Sequence, residues 1–153
     1  MSQTHSQDRL DNLDVSTCRQ LLGSHGIGRL AFNAGPSPEI LPVNYALHED
    51  SIVFRTGAGA KQNAAVQGQA ATFEVDGIHA DRHSAWSVMV HGRLAVVDVD
   101  SLEGSPEPLP GGERSTLVRL QIDRMSGRRI PPDQDWVMPG RVWYGPDASD
   151  LMG

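Results

Sequence analysis

One cysteine in 153 residues cannot close an internal disulfide, and a chain of this length can bury one sizeable core without that help. Cys18 therefore fits a reducing compartment. No stretch approaches the ~20 consecutive apolar residues of a membrane-spanning helix. The polar, acid-bearing start MSQTHSQDRLDNLD has no apolar segment of a secretory leader. The expectation is a cytoplasmic protein with no membrane partner. Positive charge is also short, the formal balance being −6. A nucleic-acid backbone needs a basic face, so no nucleic acid is expected as a partner. A single local anion site remains open to such a chain if it uses a few chosen cations. Lysine is the scarcest of these: Lys61 stands alone against twelve arginines.

What is present is a change of period along the chain. Residues 1–12 read as a loosely tied arm. LDVSTCRQLLGSHG has the pattern of a helix start. Asp14 can accept from first-turn N–H groups, and Leu13 and Cys18 stand at hydrophobic-staple spacing. Cys18, Leu21 and Leu22 share a face that Gly23 or Gly26 can end, so Cys18 reads as a small core residue with no activating base beside it in sequence. Alternation then takes over. IGRLAFN (27–33), EILPVNYAL (39–47) and SIVFRT (51–56) form a meander through GPSP and HED turns. KQNAAVQGQ (61–69) reads as a short helix with Ala64 and Ala65 inward, and AATFEVDGI (70–78) as a further strand. SAWSVMVHGRLAVVDVD (84–100) is the longest strand candidate, with a bulge or bend at Gly92. TLVRLQIDRM (116–125) alternates cleanly, and the acidic, proline-rich segment 101–115 reads as loop. The stretch from Ser126 onward carries Trp136 and Trp143 and is expected mostly extended. The organisation is then an arm (1–12), one domain (13–130) and a tail (131–153) packed on the body or on a partner. Short strands, one connecting helix and no βαβ alternation point to a mainly-β fold, a small closed antiparallel barrel.

Three groups of residues invite chemistry. Arg55 and Thr56 end a strand, a flexible GAGA follows, and Lys61 opens a helix. A guanidinium grips phosphate through two parallel hydrogen bonds, a hydroxyl adds a donor, and a helix start favours an anion. An ordinary hairpin end with solvated charges has the same pattern, and both readings stand. Pro42 removes a ladder donor, so its strand belongs at an edge or a bulge. Backbone groups beside Val43 and Asn44 can then meet a flat heterocycle, or Asn44 can simply face water. Trp86 can wall such a ring or fill the core. His79, His83 and His91 tempt a metal reading, but GIHADRHSAW is turn-like and supplies no paired ligands, so no metal is expected. Ser84 and Ser87 have no identifiable base and acid for hydrolysis.

Taken in order, GIGRLAF, PEILPVNYAL, SIVFRTGAGAK, ATFEVD, SAWSVMVHGRLAVV and LVRLQIDRMSGRRI resemble the pyridoxamine 5′-phosphate oxidase-like family of actinobacterial type. The resemblance runs collinearly over residues 13 to 130. It implies a split β-barrel of Greek-key antiparallel strands that binds FMN, and a homodimer with cofactor sites at the subunit interface. The activity implied is an FMN-dependent oxidoreductase acting on a small-molecule substrate. By the same resemblance Pro42, Val43 and Asn44 edge the isoalloxazine ring, largely through main-chain groups. Phe54, Arg55 and Thr56 line the ribityl chain and phosphate, and Lys61 neutralises the phosphate. Trp86 and Ser87 lie in a segment that reaches the flavin across the dimer interface. The substrate-phosphate residues of true pyridoxamine phosphate oxidases have no counterpart in these stretches, so no substrate is named. Two other readings stay open. One is a flavin-binding carrier or redox sensor without turnover. The other is a split barrel holding a deazaflavin, or haem with His79, His83 or His91 as axial ligand.

Overall fold

The computed structural model describes residues 10–79, 84–98 and 116–130. Its elements are β1 (Asp11–Leu13), α1 (Val15–Gly23), β2 (Ile27–Asn33), β3 (Pro38–His48), β4 (Ser51–Thr56), α2 (Ala60–Val66), β5 (Ala70–His79), β6 (Ser84–Val97) and β7 (Thr116–Ile130). The strands hydrogen-bond in the order β1-β7-β4-β3-β2-β5-β6, and a further β6–β7 ladder closes six of them into a barrel, with β1 lying beside β7. Every pairing is antiparallel. The chain returns from the β3–β4 hairpin through α2 to the far side of β2, a Greek-key connection. Mainly β and closed, with two short helices, the fold is the one the sequence leads one to expect.

Register determines which residues share a level of the barrel. Extending the β3–β4 ladder by one pair sets Arg55 opposite Asn44, and Asn44 pairs with Ile27. Extending β2–β5 by two pairs sets Ile27 opposite Asp76, which pairs with Ser87, which pairs with Arg128. Yet Arg55 itself pairs with Leu117 on β7. One circuit therefore climbs β7 from Leu117 to Arg128, and one position of that climb, Asp123, is an extra residue at the bulge beside His91 and Gly92. Such a steep stagger tilts the strands strongly and leaves their ends unevenly covered. The expected irregularity at Gly92 is thus real, and it lies on the seam that closes the barrel.

The interior is filled by Leu30, Phe54, Phe73, Val88, Val90 and Leu120, all fully buried. Alternation sends every second residue of a strand inward, as β2 shows from Gly28 to Phe32. α1 covers one end. Its first turn is capped by Asp14, whose Oδ1 accepts from the Thr17 N–H at 2.7 Å. Backbone and side-chain hydrogen bonds from Thr17 hold the Asp14 carboxyl below its usual range. Cys18 and Leu22 point into the core. A Cβ on Gly127 would meet both Cys18 Sγ and Leu13, so β7 passes directly beneath the staple. Burial pushes the Cys18 thiol up, with the Asp14 charge adding to it, which fits a packing residue rather than a nucleophile. α2 covers the other end with Ala64 and Ala65 inward.

Tyr45 ties the first of these ends together. Its ring meets Phe73 edge-on with centroids 4.7 Å apart, and its hydroxyl donates to the Leu22 carbonyl at 2.5 Å. Burial raises the phenol to about 12 from an ordinary value of 10.0. Because the folded value lies above the unfolded one, this stabilisation is complete below about pH 10 and is lost as pH rises towards about 12. The denaturation midpoint should therefore fall through that alkaline window. Tyr45→Phe should cost about 1 kcal/mol near neutrality and should flatten the alkaline fall. An unchanged alkaline slope in the variant would assign the effect to other groups.

Several boundaries differ from the sequence expectation. Asp11 and Asn12, read as part of the arm, pair with Arg129 and Arg128. α2 starts one residue early and stops at Val66, because Gly68 takes φ 63° and turns the chain into β5. β6 ends at Val97 rather than at residue 100. β7 runs on to Ile130, since β6 and β1 both offer it ladder partners past Met125. The expected loop at 101–115 and the tail at 131–153 lie outside the described residues.

Candidate functional site

The β3–β4 ladder stops at Tyr45–Phe54, whereas β3 pairs with β2 as far as Pro38. Over Pro38–Val43 the strand therefore pairs with β2 alone among the described residues, which leaves its other edge without a ladder partner among them. The Tyr45 N–H donates to the Gly26 carbonyl at 2.9 Å, which turns the Tyr45 peptide groups towards β2. Successive residues of an antiparallel strand direct these groups to opposite sides, so those of Pro42 and Asn44 face the open edge. Pro42 has no N–H and forfeits no ladder bond there, which fits the edge placement that its presence predicts. Just beyond, β4 ends with Arg55 and Thr56, residues 57–59 link it to α2, and Lys61 is the second residue of that helix, half-buried like Arg55.

The candidate residues separate by face. Asn44, Arg55 and Ser87 lie on one outward row with Ile27, Asp76 and Arg128. Pro42 lies on the next row, with Arg29, Glu74 and Met89. Val43, Phe54, Thr56 and Trp86 point inward and are buried. The Thr56 side chain is buried, and its hydroxyl donates to the Gly57 carbonyl at 3.2 Å. Val43 and Phe54 can likewise offer a ligand at the outer face only their main-chain groups. Trp86 fills the barrel end, and a Cβ on Gly77 would sit about 2.6 Å from its Nε1. Together with Ser87 it also borders a cavity of about 380 Å³ that Ile78 and Arg128 complete.

Two features of this face escaped the sequence. His25 meets Trp86 edge-on with centroids 4.9 Å apart, and its Nδ1 lies 2.9 Å from Ser24 Oγ. Arg29 forks between Glu74 Oε2 and Asp76 Oδ1, both at 2.7 Å. Those carboxylates, Asp76 first, hold the guanidinium more firmly protonated than usual. The pair is half exposed and contributes little stability, but it cancels charge in the middle of the row. Arg55 and Arg128 stand at the two ends of that row. Glu74 and Asp76 are adjacent only because β5 alternates, and nothing in the sequence ties them to Arg29 forty-odd residues earlier. Among the described residues no group of three or more His, Cys, Asp or Glu side chains is arranged to hold a metal ion.

Known proteins share this fold. An uncharacterised protein of Mycobacterium tuberculosis is 28% identical over 130 residues, spanning 79% of this chain and 86% of its own length. A Corynebacterium glutamicum structure assigned as a pyridoxamine 5′-phosphate oxidase superposes with TM-score 0.67 at 25% identity, covering 80% of this chain and 98% of that one. The structure of an FAD-binding protein from Mycobacterium smegmatis superposes with TM-score 0.61 at 26% identity, covering 78% and 97%. The family model described as pyridoxamine 5′-phosphate oxidase matches residues 14–129. That span starts at the Asp14 cap and reaches the β7 residues that complete the barrel, so all of the closed sheet but its last residue, Ile130, falls within it. The chain belongs to the pyridoxamine 5′-phosphate oxidase family.

Proposed function

We propose that the protein is a homodimeric, FMN-dependent oxidoreductase acting on a small molecule. The observation that carries this reading is the open edge of β3. There the peptide groups of Pro42 and Asn44 face outward directly across from the Arg55 end of β4. A flat ring with amide-like polar atoms meets such an edge as a further strand would, and a guanidinium beside it suits a phosphate. Membership of the family supports the choice of a flavin, as does the FAD-binding relative, whose ligand contains the same ring, ribityl chain and first phosphate.

Arg55 would take the phosphate through paired N–H groups, and Lys61 would add a compact charge. Val43, Phe54 and Thr56 would act through the backbone and keep that backbone rigid by their burial. When bound, the flavin supplies two-electron redox chemistry. The described residues contribute positioning and exclusion of water, and the proposal assigns none of them as an acid or base. The exposed Ile27, Ile40, Ile78 and Met89 lie on the outer face of β2, β3, β5 and β6, around the rows that carry Pro42, Asn44 and Ser87. A second copy seated there would cover apolar surface and bring its own Ser87 segment towards the ring, an isologous contact that makes two equal sites.

One experiment tests both halves. After incubation with FMN and desalting, sedimentation followed in the flavin band and in the protein band should show one boundary at twice the chain mass. Flavin left behind at the meniscus would overturn the cofactor half. A flavin-loaded boundary at the monomer mass would overturn the dimer.

A further inference from the structure

A cavity of about 470 Å³ opens on the outer wall of the barrel, where β6 meets the bulge of β7. That volume falls within the range of roughly 300–1,000 Å³ found for small-molecule sites. Its rungs are those of His91 and Arg93, beyond the row of Pro42 and Met89 and away from Asn44 and Ser87. The hollow has a simple cause. Ala31 and Ala70 point outward here, whereas the next outward row carries Arg29, Glu74 and Met89. The bulge adds the rest. An extra residue in one strand re-aims side chains, and Asp123, which has no ladder partner on β6, borders the cavity.

Two contacts hold the polar side chains of this wall in place. Thr72 and His91 are ladder partners, and Thr72 Oγ1 lies 3.1 Å from His91 Nδ1. The ring is thereby fixed, with Nε2 as its remaining polar atom. Arg93 Nη1 donates to the Gly68 carbonyl at 3.2 Å. Gly68 leads into β5, which flanks β6 on the side away from β7. This bond therefore draws the guanidinium away from Asp123. Although their strands are neighbours, Arg93 and Asp123 form no ion pair with each other. Four of the five guanidinium N–H groups are left over from the Gly68 bond.

One cation and one anion thus stand on opposite sides of a single cavity, and no other Lys, Arg, Asp or Glu lines it among the described residues. Complementary charge calls for a ligand that carries both signs itself. Adjacent strands are about 4.8 Å apart, so the two charges of the ligand must be close together, as they are on a single α-carbon. We propose that this cavity binds a free α-amino acid as its zwitterion. Its carboxylate meets the forked N–H groups of Arg93, and its ammonium meets Asp123. The alanines and Pro38 offer an apolar surface to an uncharged side chain. The inference does not use the flavin reading, since none of these residues is assigned to the cofactor.

The test titrates L-leucine into the full chain, followed by the NMR amide resonances of Thr72, His91 and Asp123. Leucine should bind with a Kd of about 1 mM or tighter, within reach of a ligand of this size. Two analogues each lack one charge: 4-methylpentanoate has no ammonium and isopentylamine has no carboxylate. Each should bind about tenfold or more weakly than leucine. Arg93 and Asp123 are both exposed, so their variants should fold. Arg93→Gln should weaken leucine about tenfold and leave isopentylamine unchanged. Asp123→Asn should weaken leucine as much and leave 4-methylpentanoate unchanged. No response to leucine, or equal affinity for all three probes, would overturn the proposal. So would competition between leucine and FMN, which would place leucine in the flavin site. Leucine binding with this charge pattern, in a protein that takes up no FMN, would support the cavity and end the flavin reading alone.

Discussion

Replacing Gly92 by alanine is expected to lower the urea midpoint by about 1–3 M. That corresponds to a loss of about 3 kcal/mol or more at ordinary denaturant sensitivity. A Cβ at this position would fall well inside van der Waals contact of the Gln121 carbonyl oxygen, with the Gln121 carbonyl carbon and a Leu120 methyl close behind. The obstacle is backbone, so no rotamer change relieves it. Nor can the strand step aside, because Gly92 pairs with Ile122 at the point where Asp123 bulges out of β7. The β6–β7 ladder closes the barrel, so displacement there opens the seam and admits water to Val90, Leu94 and Leu120. Gly23→Ala is the matched control. It ends α1 with nothing within 4 Å of an added Cβ, and alanine there should be neutral or stabilise by up to about 1 kcal/mol. If both substitutions had similar effects, the close approach at the seam would not be the cause.

Arg55→Ala and Lys61→Ala should each weaken FMN binding by about 10- to 100-fold, hydrogen bonds to charged groups contributing about 1.5–3 kcal/mol each. Riboflavin, which has the same ring and ribityl chain but no phosphate, should bind both variants within about twofold of the unmodified protein. The contrast separates contact with the phosphate from a general loosening of the β4–α2 link. Thermal denaturation should move little in either variant, since both side chains lie at the surface end of the barrel rather than in its core. Parallel loss of riboflavin and FMN would place these cations in the scaffold and remove them from the site.

The regular parts of the fold were legible because their burial is periodic. β2 alternates from Ile27 to Asn33 and β4 runs straight to Thr56, so the meander could be drawn almost to the residue. SGRRI, the end of β7, carries no such alternation. Its strand character comes from Ala85–Met89 and from Asp11–Leu13, partners that adjoin it only after the barrel closes. At the site, resemblance identified stretches of chain but not faces. Arg55 lies outward and its neighbours Phe54 and Thr56 inward, a parity that follows from the strand once Ile52 and Phe54 are recognised as core. The link from α2 to β5 had no precursor in sequence. Gly68 adopts a left-handed turn and the Leu94 N–H reaches back to the Gln69 carbonyl, and neither event leaves a local pattern.

The open edge of β3 has a bearing on how the protein behaves among copies of itself. An uncovered strand edge is a template on which strands from other molecules can add, the first step towards fibres. By the alternation of the strand, Pro38 faces the same open side as Pro42, four residues on. Two of the N–H groups that an incoming strand would need are therefore missing at alternate rungs. Carbonyls stay available along the edge, so a compact ligand that needs few contacts can still settle there. A long polypeptide that needs every rung cannot. The two prolines thus act as gatekeepers against aggregation along an edge that no described strand covers.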